Sequence, residues 1–378
     1  MAKILQFPKG TLPQSRAVGL SRLITTFASQ RRAQEDVFWL KENAELLNIF
    51  ESSGCAREEL TCLDPVALEP LRGFYHGADR HLCFFRQYYR FVLSICMDLE
   101  DLGLVLQNGR NTASLPSEAL AQWVKDQGLA DHELSDLQRA EARRLLARRG
   151  VTLDVPGLDA RLHGFMESTA QFSIPNRKAA FELTHIVFYL SDYGRRDPGL
   201  SAGAIQSLTH VGLLAFLDRD ADLLSEICVA LRFGGRQPSR IWERWLKAHH
   251  QGFTLFAGDD AAAPALQQDD YHMFLVSNWY QALSGEIAFQ KPVPKGGVRF
   301  QRSGHAGILH GLSQAVFQLG TKAADWQWLR PQIFARLSTA DAEFLTEVEQ
   351  SSSEFAAFFE GFARLGRVSS TVKQVEWA

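Results

Sequence analysis

Apolar residues recur three and four positions apart along almost the whole chain, the spacing that gives an α-helix one buried face. In the first half this predicts helices over 17–31 and 34–53, joined near Arg31-Arg32. It also predicts a strongly aromatic helical stretch over 66–103, with Gly103 as the stop. A polar loop follows over 106–115. Ser117 to Gly128 and Asp131 to Arg149 read as an exposed helical pair closed by Gly150. From Pro156 onward the helices read as more buried. They are expected near 158–171, 178–193, 202–217, 219–233, 237–251, 269–288, 304–319, 324–337 and 340–365, with glycine- and proline-rich breaks between them. Short β-prone runs such as Gly297 to Gln301 do not alternate long enough to predict a sheet, and no β-α-β rhythm appears. The expected fold class is all-α. Stacked helical hairpins of this number predict an α/α toroid-like or solenoid-like bundle. The expected division is an N-terminal helical region over 1–150, a main helical domain over 151–368 and a tail over 369–378.

Composition narrows the class without naming a function. The 378 residues are 46% hydrophobic and carry a net charge of -3, which points to neither a nucleic-acid nor a membrane partner. No uncharged apolar run is long enough to span a bilayer, and MAKILQFPKG is not a secretory signal. There are 26 Phe against 13 Pro, so large aromatic area can be buried in helices that few prolines interrupt. Cys55, Cys62, Cys83, Cys96 and Cys228 lack C-x-x-C spacing and read as reduced, mostly buried thiols of a cytoplasmic protein.

Several motifs fail on inspection. Gly199-Leu-Ser201-Ala-Gly203 has the letters of a nucleophile elbow, but a turn precedes it instead of a strand, so Ser201 reads as a helix N-cap. Asp218-Arg-Asp220-Ala-Asp222 starts like a calcium loop, yet Leu223 and Val229 stand where glycine and a bidentate glutamate are needed. Arg139, Arg143, Arg144, Arg148 and Arg149 read as a solvated face with cations near a helix C-terminus, the alternative being an anionic partner. Trp242 and Trp245 share a helix face and read as an inter-helix wedge, the alternative being a ligand-stacking wall. Tyr271, Trp279 and Tyr280 raise the same choice. Leu183-Thr-His-Ile is echoed by Leu208-Thr-His-Val, one pair that does not establish a repeat.

The remaining chemistry lies in three helix starts: Glu182 with His185, Asp222 with Glu226, and Asp269 with His272. Residues three or four apart share a helix face. If successive helices alternate up and down, the three pairs lie in one layer. His210 and His310 then fall at the other end, and Asp192 is at best a neighbour of His185. Acid and imidazole on facing helices build carboxylate-bridged metal sites, so these six residues are the candidate ligands for iron, manganese or zinc. His185, His272 and Glu226 are the candidate catalytic groups. Chance bears on this: 11 histidines and 43 acids give about one acid three residues ahead of a histidine, and two occur. Structural roles, with the histidines merely satisfying core hydrogen bonds, are therefore the preferred expectation, ahead of a polar pocket without a cofactor and of the metal.

Phe181 to Gly194 (FELTHIVFYLSDYG), Asp222 to Gly234 (DLLSEICVALRFG) and Tyr271 to Trp279 (YHMFLVSNW) resemble a poorly described group of bacterial all-helical proteins of unknown function. Some members of that group accompany specialised-metabolite pathways. The resemblance covers residues 155–320. It implies an α/α toroid-like domain with Thr184, His185, Asp192, Glu226 and His272 as recurrent polar positions, and no established activity. Two functions stay open: a small-molecule enzyme or accessory protein with a polar acid/histidine site, or a non-catalytic scaffold for a protein or peptide.

Overall fold

Helices begin where an apolar stripe meets a side chain that can accept a free backbone N–H. The computed structural model describes residues 15–54, 60, 63–105, 116–302, 304, 306–319 and 325–363. The polar loop at 106–115, Cys55, Cys62, the first ten residues and the tail from Ser369 lie outside these. Helices α1 (Arg16–Thr25), α2 (Val37–Ser52), α3 (Pro65–His76), α4 (Ala78–Phe84), α5 (Tyr89–Asp101) and α6 (Pro116–Asp126) form the first series. The second is α7 (Asp136–Ala147), α8 (Leu158–Met166), α9 (Arg177–Leu190), α10 (Ala202–Asp218), α11 (Ala221–Phe233) and α12 (Arg240–Gln251). Strand β1 (Phe253–Ala257), α13 (Tyr271–Leu283) and β2 (Val298–Arg302) follow. The chain then runs through α14 (Leu309–Phe317), α15 (Trp326–Phe334), α16 (Thr339–Gln350) and α17 (Phe355–Phe362). The protein is all-α apart from one two-stranded ribbon among the described residues.

Most expected helices are present, and the departures have physical causes. The stretch 66–103 is three helices, not one. Leu82, Phe84, Phe85 and Tyr89 cannot all face a core from one helix. The backbone turns at Phe85 (φ -121°, ψ 54°), leaving Phe84 and Phe85 exposed, and Cys83 with them. Cys96 and Cys228 are buried thiols outside any disulfide, as expected. The 340–365 helix breaks at Ser351 into α16 and α17. The run at 297–301, expected to stay unpaired, forms β2, because β1 supplies an antiparallel partner with Leu255 opposite Phe300. Ser201 is a cap: its Oγ accepts from the Ala204 N–H at 3.2 Å.

The chain divides into two compact units, neither of them continuous. The first comprises residues 1–124 and 253–302, the second 125–252 and 303–378.

In the first unit α2 packs against α5 and α13. The ribbon closes the core, with Phe300 4.8 Å from Phe274 and 6.1 Å from Phe27, ring centre to ring centre. In the second unit α10 packs against α11, α16 and α17, and α9 packs against α7 and α11. Trp242 is a core wedge, as expected. Its Nε1–H donates to Ser351 Oγ at 3.0 Å. Gly212 admits its ring: a Cβ there would come within 2.5 Å. Four phenylalanines of α17, Phe355, Phe358, Phe359 and Phe362, are buried around Trp326 or one another. Among the described residues no helix is long and apolar enough to cross a membrane.

Candidate functional site

Helix α9 carries the first predicted pair. Asn176 starts it, its Oδ1 accepting from the Ala179 N–H at 3.1 Å. Leu183, Thr184, Val187 and Phe188 form its buried face, which leaves His185 half-buried at the edge. His185 Nδ1 lies 2.7 Å from the Phe181 carbonyl oxygen, an arrangement in which the ring donates and Nδ1 holds the proton. Nε2 is then the nitrogen left for a ligand. The rings of Phe188 and Tyr189 flank the imidazole at 5.5 and 6.0 Å. Beneath it Thr184 Oγ1 donates to the buried Glu226 Oε2 of α11 at 2.6 Å. The same carboxylate oxygen is 3.7 Å from His185 Nδ1. So His185, Thr184 and Glu226 do converge.

The other predicted residues have separate partners. Glu182 faces Lys178 at 4.0 Å on the surface of α9. Asp222 reaches Arg177 at 3.9 Å, beside the Asp220 carboxylate that caps α11 and also pairs with Arg177. Asp269 and His272 belong to the first unit, the other four to the second. They also do not share a helix face. Asp269 is extended (φ -86°, ψ 148°) and α13 begins only at Tyr271. Its carboxylate takes both terminal nitrogens of Arg31, while His272 Nε2 stands 4.0 Å from Glu45. The expected six-residue ligand set is therefore not assembled. Among the described residues no three His, Cys, Asp or Glu side chains gather as metal ligands.

Arg31 explains why Asp269 is spoken for. Its Nε–H donates to Glu42 at 2.7 Å, and Nη1 also reaches the Val298 carbonyl at 3.1 Å. The guanidinium lies 4.8 Å over the Tyr271 ring and 5.1 Å over Phe27. Burial alone would lower its pKa, but hydrogen bonds to Asp269 and Glu42 more than offset this and raise it. Tyr271 donates to Glu45 at 3.0 Å, and burial, reinforced by Glu45 and Glu42, pushes its phenol far up. The Tyr271 ring packs against Phe27 and under Arg31. His210 is buried with Nδ1 2.9 Å from Ser173 Oγ, so the two Leu-Thr-His segments have unlike surroundings.

Residues 1–365 match the model of a domain of unknown function, DUF6902. The chain belongs to this family. The DUF6902 match covers the first 150 residues as well, where the sequence alone shows no resemblance. No curated protein and no solved structure matches the DUF6902 chain.

Two cavities of this DUF6902 chain were not placed from the sequence. One, of about 420 Å³ in the first unit, is lined by Phe74, His81, Phe85 and Tyr88 with Glu35 and Asp36. His81 is held neutral further into acid than usual by burial. The other, of about 530 Å³ in the second unit, is lined by Arg143, Arg144, Arg196, His163 and two aspartates. The arginine row was the signal for the second. Only the inward turn of Arg144 was unreadable: Arg144 is buried where the other arginines of the row are not.

Proposed function

We propose that this protein is a small-molecule enzyme or accessory protein that moves a proton at His185. The observation that carries the reading is the fixed ring: Nδ1 is tied to the Phe181 carbonyl, Nε2 is left over, and a buried carboxylate lies 3.7 Å behind. A histidine exchanges protons near neutral pH without a cofactor. In this arrangement Nε2 takes a proton from a bound molecule, and Glu226 stabilises the imidazolium that results. Thr184 positions Glu226, and Phe188 with Tyr189 supplies an apolar flank. Glu182, Asp222, Asp269 and His272 have no part in that step.

Long-range proton–nitrogen NMR of the imidazoles tests it. The reading expects the His185 signal in the Nδ1–H tautomer at high pH. It also expects compounds from a small-molecule thermal-shift screen to move that signal and to lose their effect in His185→Gln. An Nε2–H tautomer, or hits indifferent to His185→Gln, would contradict it. The scaffold reading draws on a different observation, the exposed Phe84 and Phe85 of the first unit. It gains if a partner protein is released by Phe84→Ser and Phe85→Ser while His185→Gln has no effect.

A further inference from the structure

Helix α7 ends in the arginine row that the preceding reading does not use. Arg139 pairs with Asp136 at 3.0 Å, and Arg143 pairs with Asp159 of α8. Arg144 instead turns inward and is only 4% exposed. Its Nε–H donates to Asp192 Oδ1 at 2.8 Å, and its guanidinium lies 4.2 Å over the Tyr193 ring. Its Nη2 is buried without a hydrogen-bond partner. Leaving a buried donor unmatched costs about 1–3 kcal/mol, more for a charged group, so each such case calls for a reason.

The turn that holds Arg144 is strained. Asp192, Tyr193 and Gly194 have φ of 47°, 54° and 85°, three left-handed residues in a row. Non-glycine residues held this way cost on the order of 1–3 kcal/mol each, and such strain clusters at functional sites. Here it presents the Asp192 carboxylate and the Tyr193 face to one guanidinium. Gly194 has no alternative, since a Cβ there would come within 2.5 Å of the Phe233 ring.

The cavity of about 530 Å³ opens beside Arg144, within the range of small-molecule sites, roughly 300–1,000 Å³. Arg143 and Arg196 also line it, with His163. Arg196 Nε–H donates to the Leu190 carbonyl at 2.7 Å, which leaves its terminal nitrogens for other use. The two carboxylates of the lining are already engaged. Arg143 holds the Asp159 carboxyl below its usual range, aided by the charges of His163 and Arg196, while burial opposes this. Asp197 accepts from the Gly199 N–H at 2.8 Å. The C-terminal carbonyls of α9 account for Arg196 Nε. They do not account for three guanidiniums around one hollow, nor for the free Nη2 of Arg144.

We propose that this cavity binds a small molecule through an oxyanion, a carboxylate or a phosphate group, gripped by Arg144 together with Arg143 and Arg196. Guanidinium forks match both groups with paired, charge-assisted hydrogen bonds. The Arg144 Nη2 gains its missing partner when the guanidinium swings a short way into the hollow. The inference stands apart from the His185 reading. The two are nonetheless near each other: Tyr189, on α9, is 6.0 Å from His185 and 6.3 Å from Tyr193 in the turn after that helix, ring centre to ring centre.

The test is calorimetric titration of the full chain with inorganic phosphate and, separately, with succinate, at constant ionic strength set by chloride. Saturable binding of either anion is expected, weakened at least tenfold in the double variant Arg143→Gln/Arg196→Gln. Both of those side chains are at least partly exposed, and circular dichroism checks that the double variant is folded before it is titrated. Arg139→Gln, whose side chain is not part of the lining, should bind as wild type does. Preference for phosphate or for succinate identifies the group. No saturable binding of either anion overturns the proposal. So does equal affinity in the double variant, which would mark adventitious ion binding only.

Discussion

Two buried arginines divide this protein's chemistry. Arg31, in the first unit, has a carboxylate on Nε, a bidentate carboxylate and a backbone carbonyl on its terminal nitrogens, and aromatic rings on its faces. Arg144, in the second unit, has one carboxylate and one ring, with Nη2 unmatched beside a cavity. A guanidinium whose donors are used holds structure together. One with a donor to spare beside a hollow is poised for something else. The two types are alike in sequence, each an arginine followed or preceded by another, and only the partners tell them apart.

The largest expected effect breaks the first member of that pair. Arg31→Met strands Asp269 and leaves Glu42 with Arg32 alone, both carboxylates being essentially unexposed, and removing one partner of a buried ion pair costs about 3–5 kcal/mol. Urea denaturation reads this directly. Loss under 1 kcal/mol would mean the cluster is not the staple described. Next comes Gly194→Ala, which forces a Cβ into Phe233 at a φ of 85°. It should destabilise by about 1–3 kcal/mol and, by displacing the turn, release Arg144. Wild-type stability would contradict the account of that turn.

A pH effect comes third. Burial lowers the pKa of His210, with the Thr169 carbonyl and Glu354 opposing. The unfolded chain then takes up its proton first, near the ordinary value of about 6.5. Stability from this group is full above that value and is lost as pH falls toward the folded pKa, by no more than about 1.4 kcal/mol per pH unit. Denaturation between pH 7.5 and 5.5 should show a shallower slope in His210→Gln than in wild type. An unchanged slope would remove His210 from the linkage. The smallest effect is that of Arg144→Met on stability. It removes an unmatched buried donor, and Asp192 remains partly exposed with Arg195 3.7 Å away, so the change should stay within about 1 kcal/mol.

What was legible in the sequence follows from what is local. The helix start at Ser201 read correctly because a cap needs only its next few residues. Trp242 read as core because its helix has one apolar face. The convergence of His185 and Glu226 was suggested by the expected up-and-down alternation of the helices, and their two helices pack together. The link of Asp269 to that site assumed an early start for α13, and an extended Asp269 facing Arg31 is a contact 238 residues away in sequence. The pairing of β1 with β2 and the inward turn of Arg144 are equally non-local. Periodicity marks which side of a helix is apolar; it does not mark which arginine a left-handed turn 48 residues on will draw inward.

The most direct measurement is the thermal midpoint of wild type and Arg144→Met with and without the better-binding oxyanion. A ligand that binds only the folded state raises the midpoint, and salt exclusion raises it equally in both proteins. The account predicts a rise in wild type that exceeds the rise in Arg144→Met, with the two midpoints nearly equal when the anion is absent. Equal rises in the two proteins would show that Arg144 has no ligand to hold.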